Sequence, residues 1–160
     1  MNLIYDDEGC LLPGIYGLSL DEIEHEFVEG KSKRRHDIFE NYKCHLKEIK
    51  DTNCCLNHWI DGSFVTLKEN PDDIDTFTEF DGVKIEKLGI RNNVENIIYN
   101  APLRTGNYCH SFAVFKFPES QKKKDYEEYL DVKSKILYLL FPFNRNTNTL
   151  KGFVKLIKVN

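Results

Sequence analysis

The sequence WIDGSFVT at residues 59–66, followed by NPDDID at residues 70–75, decides the fold of this chain. The first run predicts an apolar strand that ends in a Gly-Ser bend, and the second predicts the start of another strand. Asp73 and Asp75 lie two positions apart on that second strand, so their carboxylates point to the same face. Two carboxylates on one face can bind a hard cation such as Mg²⁺ through oxygen. The sequence therefore predicts a metal site, with Asp73 and Asp75 as ligands, at one edge of a sheet.

The bend at Gly62 and Ser63 provides a place for a phosphate beside that metal site. A glycine lets the phosphate approach the backbone closely, and the turn amides and the serine hydroxyl can donate hydrogen bonds to its oxygens. Nucleotidyl transfer needs a cation and a phosphate held together, because positioning and charge neutralisation provide most of the catalysis. Each motif alone is weak, since Asn-Pro-Asp-Asp is also ordinary turn chemistry. Their joint occurrence at the ends of two predicted strands favours a nucleotide site.

The flanking sequence predicts an α/β or α+β fold, a mixed β-sheet with flanking helices, in a single domain over residues 1–160. A capping box at Ser19–Glu22 predicts a short helix to about Val28. Apolar periodicity predicts longer helices over residues 33–50 and 120–140. Strands are predicted at residues 54–60, 74–80, 111–117 and 152–159. Residues 81–107 are ambiguous, with a helix indicated by Val94, Ile97 and Ile98 before Pro102.

Composition limits the partners and the compartment. The formal net charge is −4, which argues against a broad nucleic-acid surface because such surfaces neutralise phosphates with basic residues. The start of the chain is acidic rather than basic and apolar, and no uncharged run approaches the ~20 residues that span a bilayer. The five cysteines contain no CxxC pair, so we expect reduced thiols. A cytoplasmic protein with no membrane partner is expected.

The Gly-Ser bend, the short spacer and the Asp-x-Asp pattern resemble the polymerase-beta-like nucleotidyltransferase superfamily. That superfamily carries a third carboxylate on a later strand. The chain more closely resembles a family of small uncharacterised bacterial proteins within it, through residues 12–16, 60–66, 70–75, 108–111, 143–145 and 151–154. The resemblance implies a minimal nucleotidyltransferase-like fold. It also implies Mg²⁺- or Mn²⁺-assisted transfer from a nucleoside triphosphate to a protein, RNA or small acceptor, as in small stand-alone enzymes of toxin–antitoxin or phage-defence settings.

Two departures from the pattern of that family affect the expected chemistry. His110 stands where the family tends to carry an aspartate, and Asn144 precedes Arg145 where it tends to carry Asp-Arg. His110 can ligate a softer metal or act as a general base, but it is a poor Mg²⁺ ligand. Asp81 and Glu79 are alternative candidates for the third carboxylate. The departures motivate a second hypothesis, a catalytically impaired binding or regulatory module that keeps the fold.

Three basic residues are candidates for binding a triphosphate: Lys68, Arg145 and Lys151. Arg145 is the best of them, because a guanidinium binds phosphate oxygens in bidentate fashion. An exposed surface base without a ligand is the alternative for each. A metal-dependent nuclease is a weaker third hypothesis, because the acidic-x-Lys element that it needs is one residue too long in the stretch Asp81–Lys84.

Overall fold

A five-stranded mixed sheet organises the computed structural model, which describes residues 3–144 and 147–157. Its strands are β1 (Ile15–Leu18), β2 (Cys55–Asp61), β3 (Ile74–Asp81), β4 (Cys109–Lys116) and β7 (Phe153–Leu156), in the spatial order β1-β7-β2-β3-β4. The pairs β1–β7 and β3–β4 are parallel, whereas β2 is antiparallel to both β3 and β7. Two short strands, β5 (Phe143–Asn144) and β6 (Thr149–Leu150), form a separate hairpin. The sheet and its helices confirm the predicted fold class.

Helices connect and cover the strands. They are α1 (Leu20–Phe27), α2 (Lys33–Asp51), α3 (Gly82–Leu88), α4 (Arg91–Tyr99), α5 (Ala101–Arg104) and α6 (Lys123–Ser134), which continues as a π-helical segment, Lys135–Leu140. The predicted capping box is confirmed: the Ser19 N–H donates to the Glu22 carboxylate at 2.8 Å, and the Glu22 N–H donates to Ser19 Oγ. The ambiguous region contains α3, α4 and α5, which together form the crossover that parallel β3 and β4 require.

The two faces of the sheet carry separate apolar cores. The larger core packs α1, α2 and α4 against residues such as Ile60, Ile74 and Phe80. The smaller core places Trp59 and Phe77 against α6 and the π-helical segment. Because alternate strand residues point to opposite faces, Asp61, Asp75 and Glu79 lie on the smaller-core face. Within the described residues, no helix combines the length and the apolar character needed to cross a membrane.

Two imidazoles are enclosed in the larger core. His58 Nδ1 lies 2.9 Å from Thr78 Oγ1, and His45 Nε2 lies 3.0 Å from Ser111 Oγ. Burial lowers the pKa of His58 to about 3. Burial, together with the charge of Arg104, lowers the pKa of His45 to about 4. Both side chains are therefore neutral in the folded protein at neutral pH.

Candidate metal and phosphate site

Strand pairing places three polar side chains in a row across the sheet. Asp61 on β2 is directly opposite Asp75 on β3, and Asp75 is directly opposite His110 on β4. Residues paired in this way point to the same face. Asp73 immediately precedes β3, which begins at Ile74, so one acid comes from a loop and the other from a strand. The sequence-predicted ligands therefore meet on the smaller-core face.

Asp73, Asp75 and His110 form a close cluster. His110 Nδ1 lies 3.0 Å from Asp73 Oδ2 and 3.9 Å from Asp75 Oδ1. One potential ligand atom from each residue lies within 4.8 Å of the other two. The side chains are only partly enclosed, with 23% of Asp73, 31% of Asp75 and 44% of His110 exposed. The arrangement can hold a small cation and still leave one side of it open to a ligand.

Gly62 packs against one of these acids and cannot be replaced without strain. Its φ of +86° belongs to the region that favours glycine. A Cβ at this position would lie 2.9 Å from Asp75 Oδ2 and 3.3 Å from the Asp75 amide nitrogen. The chain then enters a short 3₁₀ helix, Ser63–Val65, where Ser63 Oγ accepts a hydrogen bond from the Asp72 amide at 3.4 Å. The Ser63 hydroxyl hydrogen can therefore donate to a ligand.

A cavity of about 680 Å³ opens beside this bend. Gly62, Ser63, Lys68 and Asp75 line it, so Asp75 belongs to both the cavity and the cluster. Several walls are apolar or aromatic: Phe112, Leu140, Phe141 and Phe143. The volume and the mixture of apolar walls with a few polar groups are typical of small-molecule sites.

The predicted phosphate-binding bases have different environments. Lys68 is about half exposed, and its ammonium lies 2.7 Å from Asp72 Oδ2. Lys151 lines the cavity, but its ammonium is buried and paired with the Asp61 carboxylate. Burial raises the pKa of Asp61 to about 7, although the charge of Lys151 acts to lower it. Lys151 therefore already has an anionic partner. Arg145 lies outside the described residues.

Arg35, which the sequence did not mark as functional, organises the chain after the bend. Its buried guanidinium donates hydrogen bonds of 2.6–3.1 Å to four carbonyl oxygens. Those carbonyls belong to Phe27, Phe64, Thr66 and Lys68. A buried charge that satisfies several carbonyls is an effective clamp, because carbonyls without partners are costly inside a protein. Arg35 therefore fixes the loop that carries Lys68 along the cavity.

Arg34 contacts the two loops that precede Asp73 and His110. It donates to the carbonyl oxygens of Pro71 and Asp72, just before Asp73. Its guanidinium also lies 4.4 Å from the ring centroid of Tyr108, two residues before His110. One available signal for both arginines was their place in the first turn of α2, because basic residues are unfavourable at a helix N-terminus unless they bind elsewhere.

A protein-family model matches residues 3–157. The chain belongs to DUF6932, a family of unknown function. The searches of curated proteins and of solved structures returned no match. The resemblance of this DUF6932 chain to nucleotidyltransferases therefore stays a prediction.

The alternative third carboxylates do not join the cluster of this DUF6932 chain. Glu79 is buried four residues beyond Asp75, about 13 Å along the strand. Asp81 lies at the end of β3, where its carboxylate accepts a hydrogen bond from the Lys84 amide and caps α3. Because Asp81 is also part of the proposed nuclease element, that element lies about 20 Å along the strand from Asp75. His110 is the residue beside the two predicted ligands.

Proposed function

We propose that the chain binds a nucleoside triphosphate together with a divalent cation and transfers its nucleotidyl group to an acceptor, with the β- and γ-phosphates leaving as pyrophosphate. One observation carries this proposal: Asp75 lines the cavity formed by the Gly62–Ser63 bend and also belongs to the cluster with Asp73 and His110. A cation and a phosphate bound at these two places would be adjacent. That juxtaposition is what phosphoryl and nucleotidyl transfer require.

Each residue has a role that its position supports. The carboxylates of Asp73 and Asp75 and the imidazole of His110 would hold the cation, which when bound would neutralise charge on the phosphate oxygens. The three protein ligands leave coordination positions for those oxygens. Ser63 and Lys68 would orient the phosphates by donating hydrogen bonds. The aromatic walls of the cavity can pack against the flat ring of a base.

The test is label transfer from each of the four α-³²P nucleoside triphosphates. Purified protein is incubated with Mg²⁺, Mn²⁺, Co²⁺ or Zn²⁺ and with total RNA or protein extract, and label on any acceptor, including the protein itself, is measured. We expect labelling that Asp73→Asn and Asp75→Asn each reduce at least tenfold. Asp51→Asn, which removes an exposed carboxylate from α2, is the matched control and should label normally. Labelling that persists in both cluster variants would contradict these roles.

A second function, cation-dependent nucleotide binding without transfer, is favoured by the imidazole in the third ligand position. Equilibrium dialysis with the same nucleotides separates the two functions. Retained nucleotide that depends on Asp73 and Asp75, with no labelled acceptor, supports a binding or regulatory module. No retained nucleotide and no labelling would contradict both functions.

A further inference from the structure

We infer that the cluster of Asp73, Asp75 and His110 selects a first-row transition-metal ion over Mg²⁺. The inference rests on the proposed function for the role of the cation, but metal affinity can be measured without turnover. The decisive feature is the nitrogen ligand, because Mg²⁺ favours oxygen ligands and imidazole suits ions such as Zn²⁺ and Co²⁺. An oxygen-only site would favour these ions over Mg²⁺ to a smaller degree.

The separations between the ligand atoms fit such an ion. Ligands bound at about 2.0–2.2 Å lie about 3.0–3.5 Å apart in tetrahedral or octahedral geometry. His110 Nδ1 is already 3.0 Å from Asp73 Oδ2 and 3.9 Å from Asp75 Oδ1. Small side-chain movements therefore suffice to complete the three protein bonds. One ligand atom from each of the three residues lies within 4.8 Å of the other two, so an ion held by both carboxylates is also within reach of the imidazole.

The backbone holds this arrangement in place from two sides. Asp75 and His110 are directly paired across β3 and β4, so the sheet ladder fixes their spacing. Arg34 binds the loop before Asp73 and packs on Tyr108 in the loop before His110. Ligands whose positions are set by such outer contacts lose less entropy when the ion binds.

The two lysines that line the neighbouring cavity bind other carboxylates. Lys68 pairs with Asp72, and Lys151 pairs with Asp61. His110 instead contacts Asp73 and Asp75, so the imidazole and the two lysines use different carboxylates.

The experiment measures Mg²⁺, Mn²⁺, Co²⁺ and Zn²⁺ binding by calorimetry on chelator-treated protein. A Cys44→Ser background removes the one cysteine that is exposed among the described residues and could bind Zn²⁺. We expect Zn²⁺ and Co²⁺ to bind more tightly than Mn²⁺, and at least tenfold more tightly than Mg²⁺. The visible spectrum of the Co²⁺ complex should show a nitrogen-containing ligand set.

His110→Asp should lower the ratio of Zn²⁺ affinity to Mg²⁺ affinity at least tenfold, because all three ligands of the cluster are then carboxylates. His36→Asp, which changes an exposed imidazole on α2, should leave the ratio unchanged. Mg²⁺ affinity equal to that of Zn²⁺, or no binding of any of the four ions, would overturn the inference. Tight Zn²⁺ binding with no label transfer would sink only the transferase proposal, and transfer with selective Mg²⁺ binding would sink only this inference.

Discussion

The two ends of β3 place acids on the same face of the sheet, but one acid is buried and the other is partly exposed. At one end, Glu79 is almost completely buried, and its carboxylate accepts hydrogen bonds from Tyr129, Lys133 and Asn57. Burial by itself raises the pKa of Glu79, but these hydrogen bonds outweigh burial and hold the pKa below its usual range. At the other end, Asp75 is about one-third exposed and lines a cavity.

The difference separates a structural acid from the acid to which we assign ligand binding. Glu79 is surrounded by donors from β2 and α6, so it joins these elements and has little access to solvent. Asp75, beside His110, is partly exposed and lines the cavity. The imidazoles divide in the same way, because His45 and His58 are enclosed by the core whereas His110 is nearly half exposed.

The largest loss of stability is expected when Glu79, the buried acid of β3, is replaced. Glu79→Ala leaves Tyr129, Asn57 and Lys133 without their shared acceptor, and breaking a buried pair of this kind costs about 4 kcal/mol of unfolding free energy. Urea denaturation measures the loss, with Glu86→Ala as the control because that glutamate is on the surface. A loss below about 1 kcal/mol would contradict this expectation and would mean that the hydrogen bonds of Glu79 contribute little to stability.

The enclosed imidazoles should make folding sensitive to acid. In the unfolded chain the pKa of histidine is about 6.5, so both imidazoles are protonated below that pH. In the folded protein His45 and His58 stay neutral until the pH falls to about 4 and about 3, respectively. The two imidazoles together therefore lower the free energy of unfolding by about 4 kcal/mol between pH 7 and pH 5. Asp61, whose folded pKa is raised to about 7, takes up a proton over the same range and offsets about 2 kcal/mol of that loss. Urea titrations at both pH values test the net loss. His45→Gln removes one imidazole and should remove about 2 kcal/mol of the loss, and an unchanged loss would contradict the assignment.

A smaller effect is expected at the bend. Gly62→Ala forces a side chain into a backbone region that favours glycine and crowds the Asp75 carboxylate, at a cost of about 2 kcal/mol. Because the carboxylate must move, metal affinity should fall as well. Gly30→Ala has a positive φ but open space around it, so it should lose stability while keeping metal affinity. Equal metal affinity in both variants would show that the contact with Asp75 is unimportant.

The smallest effect on stability is expected when Asp75, the partly exposed acid of β3, is replaced. Asp75→Asn keeps the shape of the side chain at a partly exposed position, so the free energy of unfolding should change by less than about 1 kcal/mol. Metal affinity should nevertheless fall at least tenfold, because an amide is a much weaker ligand. Calorimetry and urea denaturation on the same sample test both statements. A large loss of stability without loss of metal binding would mean that Asp75 has a structural role, as Glu79 has.

Regular elements with strong local patterns were predictable. The helix predicted over residues 33–50 is α2, Lys33–Asp51, because its apolar periodicity is long and clear. The strand predicted over residues 74–80 is β3, Ile74–Asp81, and its Asp-x-Asp start led to the cluster. Neither β1 nor the β5–β6 hairpin was predicted. A four-residue strand such as β1 depends on distant pairing with β7.

The site was only partly predictable because some of its contacts join residues distant in sequence. Asp73, Asp75 and Gly62 followed from short motifs, and His110 followed from a resemblance. The pairing of Asp61 with Lys151 joins residues 90 positions apart, so no local pattern indicates it. The roles of Arg34 and Arg35 likewise depend on loops about 30–40 positions away. Such contacts become visible only when the sheet order is known.

The adjacent arginines at the start of α2 have a consequence for insertions and deletions. Consecutive helix residues point about 100° apart, which lets Arg34 and Arg35 reach two different loops from one turn. Adding or removing one residue within that turn would rotate both guanidiniums away from their carbonyl partners. Either change would release the loop before Asp73 and the chain after the bend at the same time, whereas changes to the cavity walls would leave both sets of hydrogen bonds in place. Redesign of the pocket should therefore begin at the walls and keep this turn intact.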